Sequence, residues 1–151
     1  MAVQSTRPSG HVIGTRLENS FPQAVDAFLG VPYALPPLGE RRFKSATKVP
    51  SSTEIIDASR YGPAAPGKAL LPGDVTDTQR LPVAIYLHGG AFNRGAAAMH
   101  NSASMVAWSE ASFIAVNFGY RVGALGFLPS SLSKKEDVLN LELRDQVFLF
   151  Q

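Results

Sequence analysis

A histidine and several small residues follow a short apolar run near the middle of the chain. The run Val83 to Leu87 reads VAIYL, and it leads directly into the loop His88 to Phe92, which reads HGGAF. Glycines carry no side chain, so backbone N–H groups in such a loop can approach a negatively charged oxygen closely. The pattern therefore raises the question of what these N–H groups approach at the end of the strand.

Two chemistries compete for this loop, beside a plain tight turn without function. A phosphate-binding loop uses G-x-G-x-x-G or G-x-x-x-x-G-K-S/T, and neither pattern is present, because Gly95 is followed by alanines and no lysine is near. An oxyanion hole needs adjacent N–H groups at the carboxyl end of a strand, which HGGAF after VAIYL offers. The residues alone leave the oxyanion hole and the simple turn open.

A strand, a helix and a second strand frame the loop. VAIYL, with its β-branched and aromatic residues, predicts a buried strand, and FIAVNF at Phe113 to Phe118 predicts a second one. Between them, Ser102 to Glu110 has helical spacing of Ala103, Val106, Ala107 and Glu110, with Ser102 as N-cap. This order predicts a parallel sheet covered by helices.

The first half of the chain is broken by glycine and proline. Short β-type runs occur at His11 to Thr15 and Val25 to Gly30, and the prolines between residues 32 and 37 predict an irregular surface segment. Pro63 to Gln79 has no periodicity and is predicted to be a loop.

Composition limits the class of protein. With 151 residues, 45% of them hydrophobic and 17% charged, the chain is expected to be one folded domain. The net charge is only +2, with one basic cluster at Arg41, Arg42, Lys44 and Lys48, which argues against nucleic acid as a partner. The absence of cysteine excludes disulfides, thiolate metal sites and a cysteine nucleophile.

Targeting features are sparse. The start MAVQSTRPSGHVIG lacks the basic and apolar parts of a signal peptide, and no apolar run approaches the ~20 residues of a membrane span. We expect no membrane span and favour a cytoplasmic location, although the residues do not determine the compartment.

Four blocks together resemble the type-B carboxylesterases, the family that includes cholinesterases and fungal extracellular lipases. The blocks lie at Phe28 to Phe43, Leu81 to Phe92, Asn117 to Phe127 and Leu139 to Gln146. The resemblance implies an α/β class, as the N-terminal portion of an α/β-hydrolase fold. Leading antiparallel strands would come first, followed by the start of a mostly parallel central sheet.

The resemblance also implies roles for the loop. The N–H groups of Gly90 and Ala91 would form the oxyanion hole, with alanine where the family more often has a third glycine. Gly89 would allow the turn, His88 would orient the loop, and Phe92 would be a wall of the pocket or ordinary core. No cofactor and no metal are implied, and the substrate of the complete form would be a small-molecule carboxylic ester.

The catalytic nucleophile, acid and base of the family are absent. The family carries its nucleophile in a G-x-S-x-G elbow beyond the matching blocks, and no such motif occurs in this sequence. Of the three histidines, neither His11 nor His100 occupies the position of the family's base. LNLELRDQVFLFQ ends without a helix-stop signal, so residues 1–151 are interpreted as a single truncated domain that is inactive alone.

Besides Ala91, one segment and one residue depart from the family pattern. Segment 63–79 replaces an acidic strand, which suggests that a sheet strand is lost. Arg121, which in relatives pairs with an acid of that strand, would then be buried without a partner, or solvated with Asp145 as substitute partner. Glu142 stands where relatives usually have glycine, which puts the backbone geometry there in question.

An incomplete sheet would leave an edge and helix faces open to association. The side chains expected to lose cover are apolar, namely Phe113, Ile114, Val116, Phe148 and Phe150. Three functions follow: part of a serine carboxylesterase, a non-catalytic binding or regulatory module that pairs through the open edge, and a phosphate or nucleotide binder, which the missing motif disfavours.

Overall fold

The computed structural model describes residues 2–7, 10–18, 21–62, 67–72 and 80–151. Within these ranges the chain forms strands, helices and short 3-10 turns. The strands are β1 Ala2–Arg7, β2 Gly10–Leu17, β3 Val25–Val31, β4 Ile56–Asp57, β5 Gly67–Pro72, β6 Val83–Leu87 and β7 Ile114–Phe118. The helices are α1 Ser102–Ala107, α2 Ser131–Lys135 and α3 Leu141–Leu149, and the 3-10 turns are Gly39–Arg41, Ala97–Met99 and Gly123–Leu125.

The described strands form one mixed sheet in the order β1-β2-β3-β5-β7-β6, with the short β4 beside β2. β1, β2 and β3 are antiparallel neighbours, and β5 is antiparallel to both β3 and β7. β6 and β7 are parallel and are connected through α1. Leading antiparallel strands followed by the first parallel pair of an α/β sheet are thus confirmed.

Strand β5 corrects the prediction of a loop over 63–79. Gly67–Pro72 pairs with β3 on one side and β7 on the other, so it is a central strand and no strand is lost at this point of the sheet. The pairing is a tertiary contact, and the five residues GKALL between two prolines are too few to show a periodic pattern. Residues 63–66 and 73–79 of that prediction lie outside the described residues.

Strand β6 has the predicted bounds but not the predicted burial. Every residue from Val83 to Leu87 is exposed, and within the described residues no strand pairs with the outer edge of β6. The ring of His100 contacts Tyr86 and covers part of one face. The residues that were expected to be exposed by an incomplete sheet are mostly covered. Phe113 packs against the core, Ile114, Val116 and Phe148 are half-buried, and of that set only Phe150 is exposed. The open edge is therefore β6 itself.

Helix α1 is shorter than predicted. It ends at Ala107, and Glu110 lies beyond it in an exposed turn. Ser102 is its first residue and Asn101 is the N-cap, so the predicted capping role of Ser102 is wrong. The buried Ser102 hydroxyl instead accepts a hydrogen bond from Asn117 Nδ2 at 3.4 Å, which ties the helix start to β7.

Two apolar clusters hold the sheet. The larger joins Ala103, Val106 and Ala107 of α1 to β3 and β7, and the smaller joins β2, β3 and Ala58. The segment after β3 is irregular from residue 32 to 38, as its prolines predict, apart from one bridge at Ala34. No helix in the described part of the chain is long and apolar enough to cross a membrane.

Candidate functional site

The HGGAF loop forms a left-handed turn at the carboxyl end of β6. The N–H groups of Asn93 and Arg94 both donate to the Gly90 carbonyl, each at 3.2 Å. Between them Ala91 and Phe92 have φ angles of 51° and 62°, and Gly90 itself has φ of 140°. Left-handed backbone costs a non-glycine residue about 1–2 kcal/mol, so the loop stores strain that its surroundings must hold.

The two N–H groups predicted as oxyanion donors have no backbone acceptor. Within the described residues, neither Gly90 N nor Ala91 N donates to a carbonyl oxygen. A Cβ placed on Gly89 would meet nothing within 4 Å, so the structure shows no steric need for the expected turn glycine at 89, and the turn lies at Gly90 to Phe92. A Cβ on Gly90 would lie 1.8 Å from the Arg94 carbonyl oxygen, so only glycine fits there.

His88 is a buried support around which the loop folds. Its ring stacks on Tyr120 with centroids 4.1 Å apart and an interplanar angle of 6°, and the Tyr120 hydroxyl donates to the His88 carbonyl. Burial, and then the charge of Glu142, raises the pKa of Tyr120, so this hydroxyl stays protonated. At Gly95 the backbone passes close to the His88 ring, and a Cβ there would lie 2.4 Å from His88 Nδ1, so a side chain at 95 would collide with the ring.

Phe92 connects the loop to the turn at 123–127. Its carbonyl accepts a hydrogen bond from Gly123 N at 2.6 Å, and its ring makes an edge contact with Phe127 at 5.2 Å between centroids. The side chain is 60% exposed, which excludes the interpretation as ordinary core. Phe92 therefore presents an aromatic surface beside the two N–H groups.

Arg121 has a full set of partners. Its Nη2 and Nε donate to Asp145 at 2.6 and 2.8 Å, and its Nη1 donates to the Lys44 carbonyl at 2.7 Å. The expectation of a buried arginine without a partner is wrong, and so is the expectation that Arg121 is solvated, whereas Asp145, named above as substitute partner, is confirmed in that role. Burial, and then the charge of Asp145, raises the pKa of Tyr33, whose hydroxyl donates to Gly119 O nearby.

Glu142 is the unusual carboxylate of this region. It is 0% exposed, and within the described residues neither carboxylate oxygen has a hydrogen-bond partner. Burial, and then the charge of Asp145, raises its pKa to about 7. The backbone of Glu142 is ordinary helix in α3, so the expected distortion of the backbone at this position is wrong. The neighbouring residue that must be glycine is Gly126, because a Cβ there would lie 2.9 Å from Glu142 Cβ.

The remaining histidines are not assembled into a catalytic group. His11 lies on β2, which is separated from β6 by three intervening strands, and His100 contacts Tyr86 with its ring. Among the described residues no group of three or more histidine, aspartate or glutamate side chains could hold a metal ion.

Sequence reasoning missed the residues that hold the loop. Tyr120, Gly95 and Gly123 act on it from positions up to 35 residues away in the chain, through stacking, close approach and one hydrogen bond. The sequence offered a signal for Gly95 and Gly123, because glycine is the residue that most readily takes a positive φ, and the structure shows a positive φ at both positions. Tyr120 carried none, because its stacking partner is set by the parallel register of β6 and β7.

The fold of this chain matches that of a solved structure. The crystal structure of Aspergillus niger EstA superposes with a TM-score of 0.82 at 30% identity, and the match covers 93% of this chain and 30% of that one. The mixed sheet and the loop after its parallel strand are thus part of an α/β-hydrolase fold.

The sequence comparison then gives the family. The model of the carboxylesterase family matches residues 2–79 and 70–151, and the chain belongs to this family. Secreted lipase 4 of Gibberella zeae is 37% identical over 94% of this chain, and para-nitrobenzyl esterase of Bacillus subtilis is 32% identical over 93%. The chain spans about a third of the length of these curated relatives, 30% and 32% respectively.

Proposed function

We propose that this chain carries the oxyanion hole of a carboxylic ester hydrolase, with the N–H groups of Gly90 and Ala91 as donors. The observation that carries the proposal is the left-handed turn at the end of β6, which leaves both N–H groups without a backbone acceptor. Strained backbone is kept where the surrounding structure holds it, and such positions cluster at functional sites.

The chemistry follows from the position of the two donors. When a nucleophile attacks an ester carbonyl, the oxygen becomes negative in the tetrahedral intermediate, and fixed donors stabilise it there. Each donor contributes about 3 kcal/mol to the transition state. The hydrogen bond from Gly123 to Phe92 and the stack of His88 on Tyr120 keep the donors in place before substrate arrives.

The nucleophile must come from outside these 151 residues. A strand added in parallel to the outer edge of β6 would end beside the HGGAF loop, because parallel strands end at the same side of the sheet. A nucleophile elbow after such a strand would face the two donors. The serine acyl-transfer reaction on a small-molecule ester therefore belongs to a complete form, and this chain alone is expected to be inactive.

A chimera tests this function. In it, the chain replaces the segment of Bacillus subtilis para-nitrobenzyl esterase that it matches. We expect the chimera to hydrolyse p-nitrophenyl acetate and the chain alone to show no turnover. A folded but inert chimera would count against the proposal, and turnover by the chain alone, lost in Gly90→Ala, would show that a nucleophile exists among these residues.

The open edge of β6 favours a second candidate, a non-catalytic binding module. All five residues of β6 are exposed, including Val83, Ile85, Tyr86 and Leu87. A bare apolar edge is a template for pairing with another strand. If the chain acts in this way, it should co-purify with a complete esterase through β6, and Ile85→Lys should abolish that association.

A further inference from the structure

A cavity of about 460 Å³ lies between the proline-rich segment and the Arg121–Asp145 pair. Its volume falls within the range of about 300–1,000 Å³ typical of small-molecule sites. None of the residues of the HGGAF loop lines it, so it is a separate site. Its walls are mainly apolar and include Pro32, Leu35, Pro36 and Leu38.

The polar groups at the base of the cavity are already used. The Tyr33 hydroxyl donates to Gly119 O, and the guanidinium of Arg121 is held by Asp145 and by the Lys44 carbonyl. An apolar group that enters the cavity therefore leaves none of these hydrogen bonds unmade, which avoids the usual cost of covering polar atoms.

The charge of the lining is positive. Arg41, Lys44 and Arg121 contribute three positive charges and Asp145 one negative charge, so the net charge is 3 − 1 = +2. Because Arg121 and Asp145 neutralise each other, the excess comes from Arg41 and Lys44, which are exposed at the mouth. Arg41 Nε donates to Pro36 O, which leaves its two terminal nitrogens for another acceptor.

We propose that this cavity binds an amphiphilic anion, a free alkyl carboxylate of about ten carbons. The alkyl chain lies along the proline and leucine walls, and the carboxylate meets Arg41 and Lys44. An alkyl cation of the same length is repelled by the +2 lining, and a neutral alcohol uses the walls alone.

Titration calorimetry of the 151-residue chain with decanoate tests the proposal. Decanol and decyltrimethylammonium serve as neutral and cationic probes, each below the concentration at which it forms micelles. We expect saturable binding of one decanoate per chain, weaker binding of decanol and none of the cation. Absence of saturable decanoate binding, or equal binding of the cation, would overturn the proposal.

Two variants separate the charge from the walls. Lys44→Glu should weaken decanoate binding about fivefold and leave decanol unchanged, whereas Lys135→Glu, the same change on α2 outside the cavity, should alter neither. Ala46→Phe, which places a ring in the cavity, should remove binding of both probes. If Lys44→Glu bound decanoate with the same affinity as the parent chain, the proposed site would be overturned, even if Ala46→Phe failed to fold.

Discussion

Arg121 and Asp145 form a two-pronged ion pair in which both side chains are more than nine-tenths buried. The pair joins α3 to the segment after β7, and through the Lys44 carbonyl it also fixes the turn that follows the 3-10 turn Gly39–Arg41. Breaking a buried pair leaves an uncompensated charge, so Asp145→Ala should lower the free energy of unfolding by about 3–5 kcal/mol. Urea denaturation measures this.

The matched control for that change is the exposed pair of Arg144 with Asp137 on the same helix region. Asp137→Asn removes the charge from solvent-exposed surroundings, and asparagine tolerates the left-handed backbone at this position, where φ is 51°. This variant should therefore leave the urea midpoint almost unchanged. Equal losses in the two variants would contradict the assigned importance of the Arg121–Asp145 pair.

Glu142 should make stability depend on pH. Its pKa in the folded protein is raised to about 7 from an ordinary value of 4.5, so the folded state holds the proton more tightly than the unfolded state. Stability is therefore greatest below pH 4.5 for this group, and it falls as pH rises to about 7, by about 3 kcal/mol in total. Urea denaturation at pH 5 and pH 8 measures the loss.

Glu142→Gln provides the control, because its amide has nearly the same shape and does not titrate. The difference between pH 5 and pH 8 should shrink in this variant by the amount assigned to Glu142. An unchanged pH dependence would show that the carboxylate is solvated or paired in solution.

Gly95 should be irreplaceable both for its backbone conformation and for its packing. Its φ of 121° lies outside the left-handed region that alanine can enter, whereas Gly39 has a φ of 54°. A Cβ at 39 would meet nothing within 4 Å, whereas one at 95 would overlap His88. Gly39→Ala should cost about 1 kcal/mol of strain, and Gly95→Ala more than 2 kcal/mol. Thermal unfolding of the two variants measures the difference, and equal costs would refute the close packing of Gly95 on His88.

The open edge of β6 should cause concentration-dependent association. Light scattering after size exclusion should show dimers or larger species that diminish in Ile85→Lys, since a charge on the edge strand blocks pairing. Ile55→Lys is the control, because Ile55 is 64% exposed but lies outside β6. Association that persists in Ile85→Lys, or is lost equally in Ile55→Lys, would place the contact elsewhere.

The success of sequence reasoning depended on whether the signal was local. VAIYL and the run ending at Phe118 were predicted as strands because their apolar character is continuous, and HGGAF was recognised from its residue types. Strand β5 was missed because its pairing with β3 and β7 is a long-range contact. The burial of VAIYL was wrong because local composition indicates a strand but not what lies beside it.

At the site, the donors could be named from the sequence but their support could not. The left-handed turn at Ala91 and Phe92 is held by Gly123 and Tyr120 from distant positions and by Gly95 from three residues further along the chain. The resemblance implied an acidic partner for Arg121 from a strand, with Asp145 as the substitute, and the structure places Asp145 of α3 there.

The most direct test of the oxyanion hole is kcat for p-nitrophenyl acetate in the chimera carrying Gly90→Ala. A Cβ at this position collides with the Arg94 carbonyl and displaces the turn that presents both donors. We expect kcat to fall about 100–1,000-fold, while Gly39→Ala in the same chimera stays near the parent value. A Gly90→Ala chimera that folds and retains the parent kcat would show that Gly90 and Ala91 do not form the oxyanion hole.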